Sequence, residues 1–499
     1  MYRYRLDSSF DKIPLEVNII KSPLNKQGFA DILSINLEYT HKLNRAKNRI
    51  NDIDAIQWEE VKKLTNPYEF IHAFNSKNKG NDIRSVAIIK PLSRSFFKMI
   101  EMLHEFCPEL IKRCSSINNV SSIRNDTLIN NTSYDTHYNN SNSNNSNSNN
   151  SNSNNSNNSN SNLEIGADII YKTDEKQKDK DKDKDKDKEQ QTDIYDTINT
   201  VHIAEGPGGF IEAIRYVRIN NINDNSFGMT LVKFDTKNDK NYKNYKNKHT
   251  HVPGWKQSNY FLINNPEVHI INGVDGTGDI YNPDNIDFLQ SEMLRISSIK
   301  NAATLVTADG GFDYSIDYNF QEQSSSKLIF SQILGALLCQ EQGGSFICKF
   351  FDINLLFTVE MIYLLYSMYE TITIYKPFTS RIANSEKYII CNNFKGLDNP
   401  DMFKQQCDIL KDVLRKWNAY EGETINYMFL KIPPQFIEHI KTINKYIIDL
   451  QIKSINTSID IIKNKKYTVD KAWCDNNIEI QIKKAKEWCR KYNIPYRDI

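Results

Sequence analysis

Four polar residues stand where predicted strands end or helices begin: Lys98, Asp309, Lys349 and Glu386. Asp309 follows the apolar run "ATLVTA" and Lys349 follows "GSFIC", and fully buried parallel strands supply such runs. Because parallel strands end at the same edge of a sheet, this pattern places a carboxylate beside an amine where open α/β folds bind ligands. The pair could move a proton there. Taken singly, each residue has a simpler interpretation as a turn cap or a sheet-edge side chain.

The stretch "VHIAEGPGGFIEAIRYV" from Val201 to Val217 predicts a buried strand, a glycine turn and an amphipathic helix. Glycines without a Cβ let backbone approach a ligand closely, and the turn leads into a helix N-terminus. The turn residues are therefore candidates for binding a cofactor. By itself, such a stretch is more often an ordinary tight turn.

Strands and helices alternate after this turn, which predicts an α/β fold with a mostly parallel, seven-stranded sheet. After the opening strand, six further strands are predicted at 227–232, 268–274, 303–311, 344–351, 371–377 and 387–393. About ten residues separate the last two strands, which leaves no room for a crossover helix and predicts an antiparallel hairpin. This layout resembles the Rossmann-like methyltransferases.

The chain divides into a mixed N-terminal extension (1–92), a central domain (93–396) and a helical C-terminal extension (397–499). Residues 96–107 predict an amphipathic helix with Phe97, Ile100 and Leu103 on its apolar face and Lys98 and Glu101 off it. Residues 126–193 hold an Asn/Ser tract and a Lys-Asp alternation, which predict a disordered or weakly structured insertion.

Composition limits the function classes. The formal net charge of +1 provides no overall basic field, so any RNA surface must be a local patch. Eight cysteines without a CxxC pair or matched Cys/His spacing predict a reduced intracellular protein with no metal site. The N-terminus has no apolar signal region, and Glu360 interrupts the most hydrophobic stretch, so no membrane segment is expected.

Seven ordered motifs together resemble the FtsJ/RrmJ-type RNA 2'-O-methyltransferases, and more narrowly the cap-specific mRNA 2'-O-methyltransferases of eukaryotes and large DNA viruses. The motifs are Lys98, "AEGPGGF" (204–210), "GMTL" (228–231), "DGTGDI" (275–280), "ADGGFD" (308–313), "GGSFICKFFD" (343–352) and "KPFTSRIANSEKYIIC" (376–391). "NPYEFI" (66–71) fits the narrower family. The resemblance covers roughly residues 60–395 apart from the insertion.

The resemblance implies that Lys98, Asp309, Lys349 and Glu386 form a catalytic Lys-Asp-Lys-Glu tetrad that works with S-adenosylmethionine. A ribose 2'-hydroxyl is a poor nucleophile until its proton is removed, so a base is needed. Lys349 can be that base only as a neutral amine, which requires burial and the like charge of Lys98 to lower its pKa. Asp309 and Glu386 would then orient the two amines.

The same resemblance assigns the cofactor contacts. The turn residues expected to line the methionine and ribose portions are Glu205, Gly206, Pro207, Gly208, Gly209 and Phe210. Asp279 is expected to read the adenine amino group, with Ile280 packing on the ring. The wider family pattern has an acidic residue at the position of His202, whereas this chain carries Glu205 inside the turn.

Candidate RNA contacts are Arg94, one turn before Lys98, together with Ser380 and Arg381 beside Glu386. Lys243 and Lys246 lie in a loop that interleaves lysines with aromatic residues, as single-stranded RNA requires. A solvated insertion is an equally good interpretation of that loop.

The predicted activity is 2'-O-methylation of the first transcribed nucleotide of capped mRNA. Two alternatives remain: methylation of ribosomal or transfer RNA, and a catalytically inactive RNA-binding subunit of a capping complex. The expected partners are capped mRNA and, as candidates, other capping enzymes or RNA polymerase. Low-complexity tracts typical of AT-rich genomes leave the nucleus and a viral cytoplasmic factory as expected locations.

Overall fold

The computed structural model describes the chain in segments separated by gaps. The described residues are 2–6, 9–10, 17–26, 28, 30–73, 85–112, 197–219, 221–232, 254–297, 299, 302–312, 318–396, 399–429 and 432–499. The predicted insertion (126–193) and the candidate RNA contacts Lys243 and Lys246 lie outside these residues.

The centre of the fold is one eight-stranded sheet with the strand order β1-β8-β9-β7-β6-β3-β4-β5. Its strands, in chain order, are β1 (Tyr2–Arg5), β3 (Asn199–Ile203), β4 (Asn225–Met229), β5 (Val268–Ile270), β6 (Ala303–Ala308), β7 (Gln340–Phe350), β8 (Tyr369–Lys376) and β9 (Lys387–Phe394). Strands β3 to β7 run parallel, and β9 is antiparallel to both β7 and β8. The predicted parallel sheet with a terminal hairpin is confirmed.

One strand in this sheet was not predicted. β1 adds an eighth strand by pairing antiparallel with β8, from Tyr2 opposite Lys376 to Arg5 opposite Thr373. Its sequence "YRYR" alternates, so that Tyr2 is buried while Arg3 is exposed, as an edge strand requires. Residues of the N-terminal extension therefore complete the sheet beside the hairpin.

Helices cover both faces of the sheet. They are α1 (Leu37–Asn48), α2 (Ala55–Leu64), α3 (Ser95–Phe106), α4 (Glu109–Lys112), α5 (Gly209–Val217), α6 (Asn259–Ile263), α7 (Pro283–Ile296), α8 (Gln321–Cys339), α9 (Leu356–Met368), α10 (Pro400–Ala419), α11 (Pro434–Lys463), α12 (Lys466–Val469) and α13 (Lys471–Lys491). One hydrophobic core joins the sheet to α7, α8, α9 and α10. A second core joins the opposite face to α3, α5 and α13.

The C-terminal residues are mostly helical, as predicted, but they also contain a strand. β10 (Glu423–Phe429) pairs antiparallel with β2 (Val17–Pro23) in a separate two-stranded sheet. The sequence "ETINYMF" has the β-branched and aromatic content of a strand, and its pairing is irregular, with both Ile425 and Met428 buried. This short strand lies between two long helices, whose pattern dominates the composition of the region.

The residues listed above were also compared with the requirements of membrane spans, disulfides and metal sites. No helix among them combines the length and apolar character needed to cross a bilayer. The seven cysteines within those ranges are free, and six of them are buried. No group of three or more His, Cys, Asp or Glu side chains within those ranges could hold a metal ion.

Candidate active site

Four elements bring two amine–carboxylate pairs to the carboxyl edge of the sheet. Lys98 Nζ lies 2.7 Å from Glu386 Oε1 and donates to Glu386 Oε2 at 2.8 Å. Lys349 Nζ lies 3.2 Å from Asp309 Oδ1 and donates to the Asp309 carbonyl at 2.6 Å. Lys98 comes from α3, Asp309 directly follows β6, Lys349 is near the end of β7, and Glu386 directly precedes β9. All four side chains are 12–15% exposed, so a substrate can reach them from one side.

The two pairs also interact with each other through charge. Burial on its own would raise the pKa of Glu386, but the positive charges of Lys98 and Lys349, with the Lys98 hydrogen bond and the charge of Lys376, hold it at about 2. Ser380 Oγ donates a second side-chain hydrogen bond, to Glu386 Oε1 at 3.0 Å. Glu386 is therefore ionised at neutral pH and can orient the Lys98 ammonium.

Helix α3 presents Lys98 because the rest of the helix is anchored on several sides. Phe96, Phe97 and Ile100 are buried in the second core. The prediction that Glu101 lies on a polar face is wrong, since its side chain is fully buried. The Glu101 carboxylate accepts hydrogen bonds from Tyr375 Oη at 2.5 Å, the Phe378 amide at 2.6 Å and Trp488 Nε1 at 3.0 Å. These partners come from distant parts of the chain, so the helical pattern alone could not reveal them.

Tyr388 lies between the two amine–carboxylate pairs and was not among the predicted site residues. Its hydroxyl donates to Asp309 Oδ1 at 2.9 Å, and Lys98 Nζ lies 6.0 Å from the centre of its ring. Burial, followed by the charges of Asp309 and Glu386, raises the pKa of the Tyr388 hydroxyl well above its usual value, so it remains a donor. The only signal in the sequence was its place two residues after Glu386, in a strand that otherwise appeared to be core.

The glycine turn lies next to Asp309. Gly208 has φ +102°, a conformation that glycine adopts without strain, and α5 begins at the following residue. A Cβ on Gly206 would lie 2.8 Å from the Gly254 carbonyl oxygen, so the backbone at 254 packs directly on the turn. Ser258 Oγ also donates to the Pro207 carbonyl. Phe210 is buried behind the turn, 6.0 Å from the Tyr388 ring.

Glu205, rather than position 202, supplies the carboxylate at this turn. His202 is fully buried within the sheet, where its ring nitrogens lie 2.9 Å from Thr200 Oγ1 and 2.7 Å from Thr307 Oγ1. Thr307 Oγ1 donates to Glu205 Oε1, and Glu205 Oε2 lies 3.3 Å from His202 Nδ1. Burial raises the pKa of Glu205. A carboxylate beside a glycine turn can bind a ligand that carries an ammonium group.

The loop expected to read adenine is held rigidly. Asp279 Oδ1 accepts from the Tyr281 amide at 2.9 Å, and Asn285 Nδ2 donates to the Asp279 carbonyl at 3.0 Å. Ile280 is 4% exposed and packs in the main core. The loop is thus fixed to α7 through Asn285.

Comparison with known proteins agrees with this geometry. Residues 180–394 match the family described as FtsJ-like methyltransferase. This part of the chain is similar to FtsJ-like methyltransferase domains. The chain is 36% identical over 184 residues to the mouse protein named cap-specific mRNA (nucleoside-2'-O-)-methyltransferase 1, covering 37% of this chain and 22% of the mouse protein. It is 35% identical over 225 residues to the Caenorhabditis elegans protein of the same name, covering 45% and 21%.

The chain therefore matches about a fifth of the length of these curated relatives. A crystal structure of human methyltransferase-like protein 13 in complex with SAH is similar over 45% of this chain and 85% of that chain, at 10% identity. The TM-score of this comparison is 0.22. FtsJ-like methyltransferases use S-adenosylmethionine, and a glycine turn with the Glu205 carboxylate beside it is compatible with the ammonium of that molecule.

Two of the candidate RNA contacts, Arg94 and Arg381, donate to the same carboxylate. Arg94 Nη1 and Arg381 Nη2 each donate to Glu69 Oε1 at 2.6 Å. Burial opposes ionisation of Glu69, but the hydrogen bonds and charges of the two arginines hold its pKa at about 2. Each arginine side chain is 23% exposed and is paired with Glu69. The third candidate, Ser380, is buried, and its hydroxyl donates to Glu386.

Two buried lysines beneath the tetrad were also missed. Lys376 Nζ donates to the Glu386 carbonyl at 2.5 Å, the Asn384 carbonyl at 2.9 Å and Asn384 Oδ1 at 2.8 Å. Lys387 Nζ donates to the Ser385 carbonyl at 2.8 Å and to the Phe351 carbonyl. Burial lowers the pKa of Lys376 to about 7 and that of Lys387 to about 8. These two amines fix the backbone on either side of Glu386.

Proposed function

We propose that this protein transfers a methyl group from S-adenosylmethionine to the ribose 2'-hydroxyl of the first transcribed nucleotide of capped mRNA. The observation that carries the proposal is the convergence of Lys98 with Glu386 and of Lys349 with Asp309 beside the glycine turn. The names of the relatives support an RNA 2'-O-methyltransferase acting on the mRNA cap.

Lys349 acts as the general base. Its Nζ contacts the Asp309 carboxylate and carbonyl. Bound S-adenosylmethionine would place a positive charge near this amine and would favour release of the lysine proton to solvent water, since like charges repel. The neutral amine then accepts the proton of the 2'-hydroxyl as the ribose oxygen bonds to the methyl carbon.

The other three tetrad residues hold the reacting groups. Asp309 keeps Lys349 at the strand end and is fixed by the Tyr388 hydroxyl. Glu386 binds and orients Lys98, and the Lys98 ammonium can bind the ribose oxygen while negative charge develops on it. S-adenosylmethionine supplies the methyl group from its sulfonium sulfur, and the sulfur retains the electron pair of the broken bond.

The cofactor is assigned to the turn residues from Glu205 to Phe210 and to the Asp279 loop. The Glu205 carboxylate, which lies at the turn and 3.3 Å from His202 Nδ1, would accept from the cofactor ammonium. Gly206, Gly208 and Gly209 shape the turn, because a Cβ on each would meet Gly254, Trp255 or Ser93. Asp279 and Ile280 are proposed to hold the adenine.

The test is methyl transfer from radiolabelled S-adenosylmethionine to short RNAs that differ only in the presence of a 5' cap. Nuclease digestion then locates the label. We expect label on the 2'-oxygen of the first transcribed nucleotide of capped RNA. Label on uncapped ribosomal or transfer RNA would contradict cap specificity, and absence of transfer to any RNA would contradict the enzymatic proposal.

A further inference from the structure

The C-terminal helix α13 is anchored against the N-terminal residues at two points. Gln481 Nε2 donates to the carbonyls of Lys63 and Leu64 at 2.9 Å and to that of Asn66 at 2.7 Å. Trp488 Nε1 donates to Glu101 at 3.0 Å. Seven residues make about two helical turns, so both anchors lie on the same side of α13. The residues between them on that side are therefore held in place.

Lys484 lies between these anchors and above an aromatic pair that we call the aromatic shelf, Tyr68 and Phe378. Its Nζ is 5.8 Å from the centre of the Tyr68 ring. The two rings meet edge to face at 5.0 Å, and both side chains are half-buried. Lys491 Nζ lies 5.9 Å from the Phe378 ring, but it also pairs with Glu105 at 2.6 Å. Lys484 is therefore the stronger source of positive charge at the shelf.

The shelf and the tetrad share two chain segments. Tyr68 directly precedes Glu69, which binds Arg94 and Arg381. Phe378 is two residues before Ser380, whose hydroxyl donates to Glu386. The Phe378 amide itself donates to Glu101, one turn after Lys98 on α3. A polymer whose reacting ribose lies at the tetrad would therefore pass close to the shelf.

We propose that Tyr68, Phe378 and Lys484 bind the RNA strand next to the target nucleotide, with a base against the aromatic shelf and a phosphate at Lys484. This inference rests on the proposed function, and it gives the C-terminal helix a role in substrate binding. Half-buried rings beside a cation suit single-stranded RNA, because every base has a face that can stack and every linkage carries a negative charge.

One acidic residue of the same helix lies close to this surface. Burial and then the charges of Glu101 and Glu487 raise the pKa of Tyr68. Glu487 is exposed one turn after Lys484, and it should repel a phosphate bound there. Its removal should therefore act in the direction opposite to loss of Lys484.

The test measures binding of a short capped RNA by fluorescence anisotropy over a salt series, using the full chain. Lys484→Glu is compared with Lys483→Glu, which makes the same charge change at an exposed neighbouring position of α13. We expect Lys484→Glu to weaken binding about tenfold at low salt and to lower the slope of log Kd against log salt by about 1. Lys483→Glu should change the Kd by less than about twofold.

Two further variants test the ring and the acid. Tyr68→Leu keeps apolar volume but removes the stacking face, and about fivefold weaker binding is expected. Glu487→Gln should strengthen binding by about twofold. Binding of S-adenosylhomocysteine, measured by calorimetry, should stay within about twofold of wild type in all four variants, which verifies the fold.

The outcomes separate this inference from the proposed function. Equal RNA affinity of the Lys484→Glu and Lys483→Glu variants, in a protein that methylates capped RNA, would overturn the inference alone. RNA binding that depends on Lys484 in a protein that transfers no methyl group would overturn the proposed function alone. If Lys484→Glu leaves RNA affinity unchanged but abolishes binding of another capping protein, the shelf binds a protein partner and the inference is overturned.

Discussion

Lys98 and Glu386 are 288 residues apart in sequence, yet the Lys98 ammonium lies 2.7 Å from the Glu386 carboxylate. Glu386 lies within the FtsJ-like match at 180–394, whereas Lys98 lies outside it. Helix α3 therefore completes the site from the N-terminal side, where it packs against α5 in the second core. A fragment limited to 180–394 would lack one of the four proposed catalytic side chains.

We predict that Lys349→Ala abolishes methyl transfer, because no other described amine contacts both the Asp309 carboxylate and its carbonyl. Removing a general base typically lowers the rate by about 10²–10⁴-fold. Affinity for S-adenosylhomocysteine should stay within a few-fold of wild type, since the proposed cofactor contacts are elsewhere. Transfer is measured with labelled cofactor and capped RNA, and affinity by calorimetry.

The control for this variant is Lys395→Ala, because Lys395 is an exposed lysine beyond the end of β9. It should retain wild-type transfer. A rate of 2'-O-methylation by the Lys349→Ala protein within about tenfold of wild type would remove Lys349 from the role of base, even if the other tetrad residues proved essential.

We predict that Glu205→Gln weakens S-adenosylhomocysteine binding by about tenfold or more. A hydrogen bond to a charged group is worth about 1.5–3 kcal/mol, and the substitution keeps the size of the side chain while removing its charge. Glu421→Gln, at an exposed turn, is the matched control. Calorimetric affinity equal to that of the control would show that Glu205 only supports Thr307 and His202 inside the sheet.

Much of this site could be predicted because its residues follow strands with clear local patterns. Asp309 and Lys349 each follow a run of buried apolar residues, and the glycine turn has a distinctive composition. Parallel pairing then brings β3 beside β6 and β6 beside β7, so these residues meet without further information. The eighth strand β1 could not be foreseen, since four alternating residues are too short to signal a partner.

The missed residues depend on contacts between distant segments. Glu101 lies off the apolar face of the helical pattern, yet it is buried among donors that include Tyr375 and Trp488, 274 and 387 residues later. Lys376 and Lys387 look like surface lysines of a hairpin, but their amines are satisfied by backbone carbonyls of the adjoining loops. A periodic pattern cannot reveal such partners, because it carries no information on long-range contacts.

We predict that Lys376→Met lowers kcat by about 10–100-fold while leaving the KM for RNA and for cofactor within about threefold. Its amine donates to three acceptors that shape the loop before β9, including the Glu386 carbonyl. A shift of about 1 Å in Glu386 would misplace Lys98, and misplacement of that size costs about 10²-fold. A rise of both KM values with an unchanged kcat would indicate general loosening of the hairpin instead.

The same variant has a stability signature that depends on pH. Burial lowers the pKa of Lys376 from its ordinary 10.5 to about 7, so the folded protein binds this proton less readily than the unfolded chain does. Wild-type stability from this group is therefore present above pH 10.5 and lost as the pH falls toward 7. The free energy of unfolding is measured with urea for both proteins. The value for Lys376→Met minus the value for wild type should increase as the pH is lowered from 10 to 7.

We predict that Glu69→Gln lowers the free energy of unfolding by about 3 kcal/mol near pH 7, which corresponds to the fall of the Glu69 pKa from 4.5 to about 2. The carboxylate is 8% exposed and holds both Arg94 and Arg381. Because the folded-state pKa is the lower one, this stabilisation is present above about pH 4.5 and is lost as the pH falls toward 2. Urea unfolding at pH 7, 5, 4 and 3 measures the difference from wild type, with Glu421→Gln as the control. A difference that stays constant from pH 7 to pH 3 would mean that the two arginines do not depend on the charge of Glu69.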